Sequence, residues 1–225
     1  MIVSINQPAY MPWSGYFDRI ARSDLHVVLD HVQFEKNSYV NRNQILGLDG
    51  PFWLTVPVRT KGKFGNLPIS EVGIDQTSKW QRKHLQSIKS TYGRSPFFDT
   101  YWPRLESVLQ MDFSGLNDLC RKTTDLLLES LEIDVVHHRS SEHGFESSKS
   151  HLVLEVCKHF GASTYLSGPF GRDYLDLDSF AAAGIRVEYH DFKPTPYPQS
   201  GSGFVPNLSV LDLLFNTGQG ARGYL

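Results

Sequence analysis

The sequence predicts a doubly wound α/β fold, in which helices cover both faces of a mainly parallel sheet. The first observation is a short apolar run at residues 2–5, a helical pattern from Ser14 and a second apolar run at residues 25–29. A strand, a helix and a strand in so few residues are typical of a βαβ unit with parallel strands. The second observation is that strand and helix patterns alternate again after residue 131. Together they indicate a Rossmann-like or HUP-like sheet.

The middle of the chain is predicted to insert a hairpin and a helical block between the two halves of the sheet. Asp49-Gly50 separates two runs of strand character, and Asp-Gly favours a tight hairpin turn. Apolar spacing predicts helices at residues 78–92, 101–110, 116–131, 151–160, 179–183 and 209–216, and strands at 133–137, 164–167 and 185–192. We therefore expect a single α/β domain over residues 1–225, with a helical insertion at residues 76–131.

Charge and cysteine content narrow the class of protein. The 225 residues include 22 Lys and Arg against 24 Asp and Glu, a net charge of −2 that does not suit a nucleic-acid-coating protein. Cys120 and Cys157 lie in amphipathic patterns, so we expect neither a disulfide framework nor a Cys-based zinc site. The sequence has no cationic leader and no apolar run of membrane-spanning length, and we expect a cytoplasmic protein.

The loop after the first strand is the first candidate for a ligand site. Open parallel sheets bind ligands at the carboxyl ends of strands, near the point where strand order reverses. Two prolines stiffen residues 7–15, and Gly15 at the helix start lets a ligand approach backbone N–H groups. Gln7 offers an amide, and Tyr10 and Trp13 offer ring faces suited to a nucleobase or sugar. The alternative interpretation is a rigid connector whose rings pack on the core.

A second loop, SGPFGRDY, is predicted at the same edge of the sheet. Its two glycines free the backbone, and Arg172 can hold a phosphate or carboxylate through two hydrogen bonds. We expect this loop and the first one to face one crevice. The alternative is a turn in which Arg172 pairs with a neighbouring carboxylate. Beside Arg172, the candidate binding residues of the loop are Ser167, Gly168, Gly171, Asp173 and Tyr174.

Polar residues also follow the second predicted strand. Asp30 and His31 are candidate catalytic residues, with Asp30 the candidate general base. The alternative is a structural hydrogen-bond network, which is the commoner role of a lone Asp-His pair. The histidines between residues 137 and 151 match no zinc-binding spacing, so no metal site is expected. Further candidate binding residues in this part of the chain are Gln33, Asn41, Arg42 and Asn43.

At these residues the sequence resembles the WbqC-like protein family. The segments that carry the resemblance follow in order along nearly the whole chain: INQPAYMPWSGYFDRI, SDLHVVLDHVQF, NRNQI, WLTVPV, TYLSGPFGRDYLD and FVPNLSVLDLLFN. Several long motifs in the right succession are more specific than any single short pattern. Two positions depart from the family pattern: Asn6 stands where a His is usual, and His31 where a second Asp is usual.

The resemblance implies a role in bacterial surface-polysaccharide and O-antigen biosynthesis, with a nucleotide or nucleotide-linked sugar as small-molecule ligand. The N-terminal layout is also similar to pantothenate-synthetase-type nucleotidyltransferases, which makes ATP a candidate cofactor. Trp13 and Tyr16 stand where those enzymes carry histidines.

Two functional hypotheses follow. The first is an enzyme, a transferase or ligase, that transfers an acyl or aminoacyl group to a nucleotide-linked amino sugar. Arg172 would bind phosphate and Asp30 would act as base. The second is a non-catalytic sugar-nucleotide or partner-binding scaffold in a glycosylation assembly.

Overall fold

The computed structural model describes residues 1–63, 65–201 and 203–225. The strands are β1 (Ile2–Asn6), β2 (Leu25–Val28), β3 (Arg42–Gly47), β4 (Gly50–Thr55), β5 (Val58–Arg59), β6 (Gly73–Ile74), β7 (Val136–Arg139), β8 (Thr164–Ser167) and β9 (Arg186–Tyr189). The helices are α1 (Ser14–Ala21), α2 (Trp80–Tyr92), α3 (Phe98–Leu109), α4 (Leu116–Ser130), α5 (Lys149–His159), α6 (Leu177–Ala182) and α7 (Val210–Thr217).

The central sheet has the strand order β7-β2-β1-β8-β9, and every neighbouring pair is parallel. The chain passes from β1 outward to β2 and β7, then returns to the other side of β1 to add β8 and β9. Strand order therefore reverses between β1 and β8, as it does in Rossmann-like folds. The prediction of a mainly parallel α/β fold is confirmed.

Helices cover both faces of this sheet, and the side chains along each strand point alternately to the two faces. On one face, Val3 and Val27 pack in an apolar cluster with Val156 of α5 and Phe180 of α6. On the other face, the Tyr16 ring of α1 lies 6.1 Å from the His26 ring of β2. The sheet is therefore doubly wound.

The β3-β4 hairpin and helices α2 to α4 lie between β2 and β7 in the chain. These helices share a second apolar cluster with α1 and α7, in which Phe17, Ile88, Leu105, Leu119 and Phe215 are fully or almost fully buried. The division into one domain with an insertion at residues 76–131 stays a prediction. Within the described residues, no helix is both long enough and apolar enough to cross a membrane.

Two local predictions needed correction. In the hairpin, Gly47 pairs with Gly50, so the turn residues are Leu48 and Asp49 rather than Asp49 and Gly50. Gly50 has a φ of 112° and supplies the positive φ just after the turn.

The strand predicted at residues 133–137 begins instead at Val136, because α4 ends in a Schellman motif. Glu132 has a φ of 54°, its N–H donates to the Glu129 carbonyl, and the Ile133 N–H donates to the Leu128 carbonyl at 2.9 Å. The apolar character of Ile133 belongs to this helix end.

Candidate functional site

A crevice of about 400 Å³ opens at the carboxyl ends of β1 and β8. Asn6 and Gln7 line it from the end of β1, and Ser167 and Gly168 line it from the end of β8. This is the point at which the strand order reverses, where open α/β sheets bind their ligands. Its volume lies within the roughly 300 to 1,000 Å³ of small-molecule sites.

The walls of the crevice are largely aromatic. The Trp13 ring lies 5.3 Å from the Tyr39 ring and 5.9 Å from the Tyr16 ring, so the three form a continuous wall. Phe170, at the mouth, is 79% exposed. Ring faces of this kind suit a nucleobase or the apolar face of a sugar. The aromatic residues that line the crevice are Trp13, Tyr16, Tyr39, Tyr165, Phe170 and Tyr174.

The crevice also contains two polar side chains whose donors are unsatisfied. The Nε atom of Arg19, on α1, is fully buried and has no hydrogen-bond partner in the described part of the chain. The same holds for the Nδ2 atom of Asn6 at the end of β1. Burial lowers the pKa of the Arg19 guanidinium, and the groups that oppose this shift are tyrosine phenols, not carboxylates. The described lining residues include no Asp, Glu, His or Cys, so the site suits an anionic ligand.

Both glycines of the second loop are required by close contacts. A Cβ atom on Gly168 would lie 2.2 Å from Nη1 of Arg19, and one on Gly171 would lie 2.0 Å from Oγ of Ser167. Distances this short are not tolerated between non-bonded heavy atoms. The loop therefore lies directly against Arg19 and against the end of β8.

The structure places some of the sequence-predicted site residues in the crevice and others outside it. Those that line it are Gln7, Trp13, Ser167, Gly168, Gly171 and Tyr174. Those that do not line it are Tyr10, Gly15, Asp30, His31, Gln33, Asn41, Arg42, Asn43, Arg172 and Asp173.

Asp30, the candidate base, is completely buried. Its carboxylate accepts hydrogen bonds from Asn117 Nδ2 (2.7 Å), from Ser140 Oγ (3.1 Å) and from both the backbone N–H and the Oγ of Ser141 (2.9 Å each). Four bonds occupy the lone-pair sites of a carboxylate. His31 is tied to the same network through its Nδ1 atom, 2.6 Å from Ser140 Oγ. The geometry is that of the structural alternative, a satisfied network joining β2 to the turn after β7.

Several predicted binding residues fix the first loop from beneath. Tyr10 is fully buried and its hydroxyl bonds to His84 Nδ1 at 2.9 Å. Asn43 donates from Nδ2 to the Met11 carbonyl at 2.8 Å. Gly15 faces the Phe192 ring, which a Cβ atom would meet at 2.6 Å, so its small size serves packing. These contacts hold the loop without exposing the groups to the crevice.

Arg172 lies outside the crevice in an exposed ion pair. Its two terminal nitrogens donate to Asp191 at 2.9 and 2.7 Å, and its guanidinium stacks 4.3 Å from the Tyr189 ring centroid. Asp173 is exposed next to it. The ion-pair alternative considered from the sequence is therefore the observed arrangement, with Asp191 as partner.

The remaining predicted residues support the hairpin and its neighbours. Asn41 donates from Nδ2 to the Val56 carbonyl at 2.8 Å. Arg42 stacks over the Trp53 ring at 4.1 Å. The Gln33 side chain accepts from the Leu67 N–H at 2.9 Å. None of these three contacts involves the crevice.

Sequence reasoning missed Arg19, Tyr39, Tyr165 and Phe170 as lining residues, and it noted Asn6 only as a departure from the family pattern. Arg19 occupies an ordinary position of an amphipathic helix, and no local motif marks it. The available signal was its place one turn after Gly15, on the helix that follows the switch-point loop.

In residues 1–63, 65–201 and 203–225, no group of three His, Cys, Asp or Glu side chains is arranged to hold a metal ion. Arg19 and Asn6 are the groups suited to the phosphates of a nucleotide.

Comparison with known proteins identifies the family. The family model described as the WbqC-like protein family matches residues 7–224. The uncharacterized protein Rv1507c of Mycobacterium tuberculosis is 34% identical over 225 residues, an alignment that covers 99% of this chain and 96% of that protein. No solved structure is a significant match. On the length of these matches, the chain belongs to the WbqC-like protein family.

Proposed function

We propose that the chain binds a nucleotide or nucleotide-linked amino sugar in the switch-point crevice and acts in bacterial surface-polysaccharide biosynthesis. The observation that carries the proposal is the crevice between β1 and β8. Its walls are aromatic, and its described lining residues include no Asp or Glu. Trp13 and Tyr39 present ring faces for a base or sugar. Gln7 supplies an exposed amide at the rim for polar groups of the ligand.

The proposed chemistry is acyl or aminoacyl transfer to the amino sugar. The amine nitrogen attacks the carbonyl carbon of an activated donor, the bond from that carbon to the leaving group breaks, and the leaving group departs with its electron pair and takes the proton released by the amine. The described crevice lining offers no carboxylate, imidazole or thiol to take that proton. We therefore assign the protein the task of holding donor and acceptor together, which can contribute about 7 to 11 kcal/mol to lowering a barrier. ATP is the activating co-substrate to test first.

Isothermal titration tests the binding step. UDP-N-acetylglucosamine and ATP are titrated into the purified protein, into Trp13→Ala and into Phe97→Ala. Phe97 is an aromatic control because it lies outside the crevice lining and is 38% exposed. Loss of one stacking partner costs about 1 to 3 kcal/mol, so Trp13→Ala is expected to weaken binding about 5- to 150-fold. The proposal fails if the unmodified protein binds neither probe, or if both variants bind alike.

The acid-free lining also favours a second candidate, a non-catalytic sugar-nucleotide or partner-binding scaffold in a glycosylation assembly. The two candidates separate in one assay. The protein is incubated with ATP, an amino acid and UDP-linked amino sugar, and the mixture is analysed by mass spectrometry. An acylated sugar that depends on intact Trp13 supports the enzyme, whereas binding without product supports the scaffold.

A further inference from the structure

We propose that Arg19 and Asn6 form a phosphate-binding site in the wall of the crevice, and that Arg19 rather than Arg172 holds the phosphate of the ligand. The inference deepens the proposed function and rests on it for the nucleotide part of the ligand. Its basis is that two residues from different elements line the same crevice, and that each has a buried nitrogen donor without a hydrogen-bond partner in the described part of the chain.

The positive charge of Arg19 needs a partner. A guanidinium remains protonated at physiological pH, so a buried one needs an anion or several acceptors nearby. In the described part of the chain, Arg19 has neither an ion pair nor an acceptor for its buried Nε. The groups that oppose the lowering of its pKa by burial are the phenols of Tyr165, Tyr16 and Tyr174. Burial raises the pKa of the Tyr16 and Tyr165 hydroxyls, which keeps them neutral and unable to compensate the cation.

Arg19 and Asn6 both line the crevice, and each has a buried nitrogen donor without a protein acceptor among the described residues. A phosphate has several acceptor oxygens and forms short, charge-assisted bonds with a guanidinium. The described lining residues include no Asp or Glu that would repel it. A compact oxyanion bound between these two side chains therefore neutralises the charge of the guanidinium.

Gly168 holds the second loop against the Arg19 guanidinium. Its backbone comes so near to Arg19 that a Cβ atom would lie 2.2 Å from Nη1. An alanine at this position must displace either the guanidinium or the loop. Gly168 is thus a positioning residue for the site, and its substitution perturbs the guanidinium without removing the charge.

Arg172 provides a matched control in the same loop. It is also an arginine, but its side chain is 45% exposed and both terminal nitrogens are already bound to Asp191. A phosphate would have to displace that carboxylate. Arg172 already has an anionic partner, whereas Arg19 has none in the described part of the chain. A bound phosphate would therefore give only Arg19 its first anionic partner.

The test measures binding of inorganic pyrophosphate, acetate, uridine and UDP-N-acetylglucosamine by isothermal titration to the unmodified protein, Arg19→Gln, Arg172→Gln and Gly168→Ala. A hydrogen bond to a charged group is worth about 1.5 to 3 kcal/mol, so Arg19→Gln should weaken pyrophosphate binding about 10- to 100-fold. We expect Arg172→Gln to change it less than twofold and Gly168→Ala to weaken it. Acetate should bind far more weakly than pyrophosphate, and equal affinities would overturn the phosphate assignment.

Thermal denaturation without ligand adds a readout that does not depend on binding. Removing an uncompensated buried charge should leave the midpoint of Arg19→Gln unchanged or raise it. A clear fall would indicate that Arg19 already has a structural partner and would overturn the inference.

The binding results separate this inference from the proposed function. UDP-N-acetylglucosamine binding that is equal in Arg19→Gln and the unmodified protein overturns the phosphate site and leaves the proposed function standing. Arg19-dependent pyrophosphate binding without any affinity for uridine or the UDP-sugar supports the phosphate site and counts against the proposed ligand.

Discussion

The buried imidazole of His26 makes the stability of this protein depend on pH, and His26→Gln should remove the part of that dependence that is due to His26. His26 lies in β2 with its Nδ1 atom 2.9 Å from Ser4 Oγ, and its Nε2 atom is buried without a partner in the described residues. Burial, followed by the positive charge of Arg19, lowers the pKa of His26 from 6.5 to about 3. The folded protein therefore keeps this imidazole neutral where the unfolded chain protonates it.

The size of the effect follows from the difference between the two pKa values. Above pH 6.5 the imidazole is neutral in both states, and the His26 contribution to stability is fully retained. As the pH falls from 6.5 toward 3, the unfolded chain binds a proton that the folded protein does not, and stability is lost. Each pH unit in this window corresponds to about 1.4 kcal/mol. Between about pH 7 and about pH 5 the loss due to His26 is about 2 kcal/mol.

Urea denaturation at a series of pH values measures this loss for the unmodified protein, His26→Gln and Ser4→Ala. His26→Gln should lose about 2 kcal/mol less than the unmodified protein between about pH 7 and about pH 5. Ser4→Ala removes the hydrogen bond but keeps the buried imidazole, so it should lower stability while retaining the pH dependence. Parallel stability curves for the unmodified protein and His26→Gln would refute the assignment.

Three further substitutions test the packing around the site, each by denaturant unfolding. Asp18→Ala removes a carboxylate that bonds to His190 Nε2 at 2.6 Å and accepts from Arg22 Nε at 2.9 Å, and should cost about 1 to 3 kcal/mol; a loss below about 0.5 kcal/mol would contradict these contacts. Gly171→Ala brings a Cβ atom to 2.0 Å from Ser167 Oγ and should cost about 1 to 3 kcal/mol, and unchanged stability would show that the loop can move. Glu132→Gly relieves a left-handed residue with a φ of 54° and should stabilise by about 1 kcal/mol, whereas a destabilised variant would contradict the helix end described.

The fold class could be predicted because each half of the chain repeats the same local pattern. The apolar run at residues 2–5, the helix from Ser14 and the run at 25–29 correspond to β1, α1 and β2. The ends of the two strands differ from the prediction by one residue at most. An error arose where an apolar residue at the end of a helix was taken for the start of the next strand. Ile133 closes α4 through a 2.9 Å bond to the Leu128 carbonyl, and periodicity alone cannot distinguish that role from the start of a strand.

The location of the crevice could also be predicted, because topology dictates it. Loops that follow neighbouring parallel strands meet at one edge of the sheet, whatever their side chains are. The orientation of those side chains depends on packing by distant elements. Asn117 on α4 reaches Asp30 across 87 residues, and the Met11 carbonyl takes the Asn43 amide across 32 residues. The spacing of polar residues along β2 and β3 contains no trace of either contact.

Arg19 illustrates the opposite failure, in which a residue that lines the crevice resembles an ordinary surface position. Its neighbours Tyr16, Phe17 and Ile20 form the apolar stripe of α1, and a flanking arginine on such a helix usually extends into solvent. Gly168, distant in the chain, brings bare backbone against its guanidinium. In the SGPFGRDY segment Arg172 attracted the prediction, while Gly168 makes the contact with the crevice cation.

The chemistry of the lining bears on how a transfer reaction would proceed here. An acid-base mechanism needs an ionisable side chain within hydrogen-bond reach of the reacting atoms. The described residues of the crevice provide rings, amides, hydroxyls and one guanidinium, and Asp30 is bound by Asn117, Ser140 and Ser141 instead. Such a wall can fix a phosphate and a ring and so align a second reactant, an effect that acts through proximity rather than proton transfer. In the proposed transfer reaction the reactivity would then come from the donor, an activated acyl group.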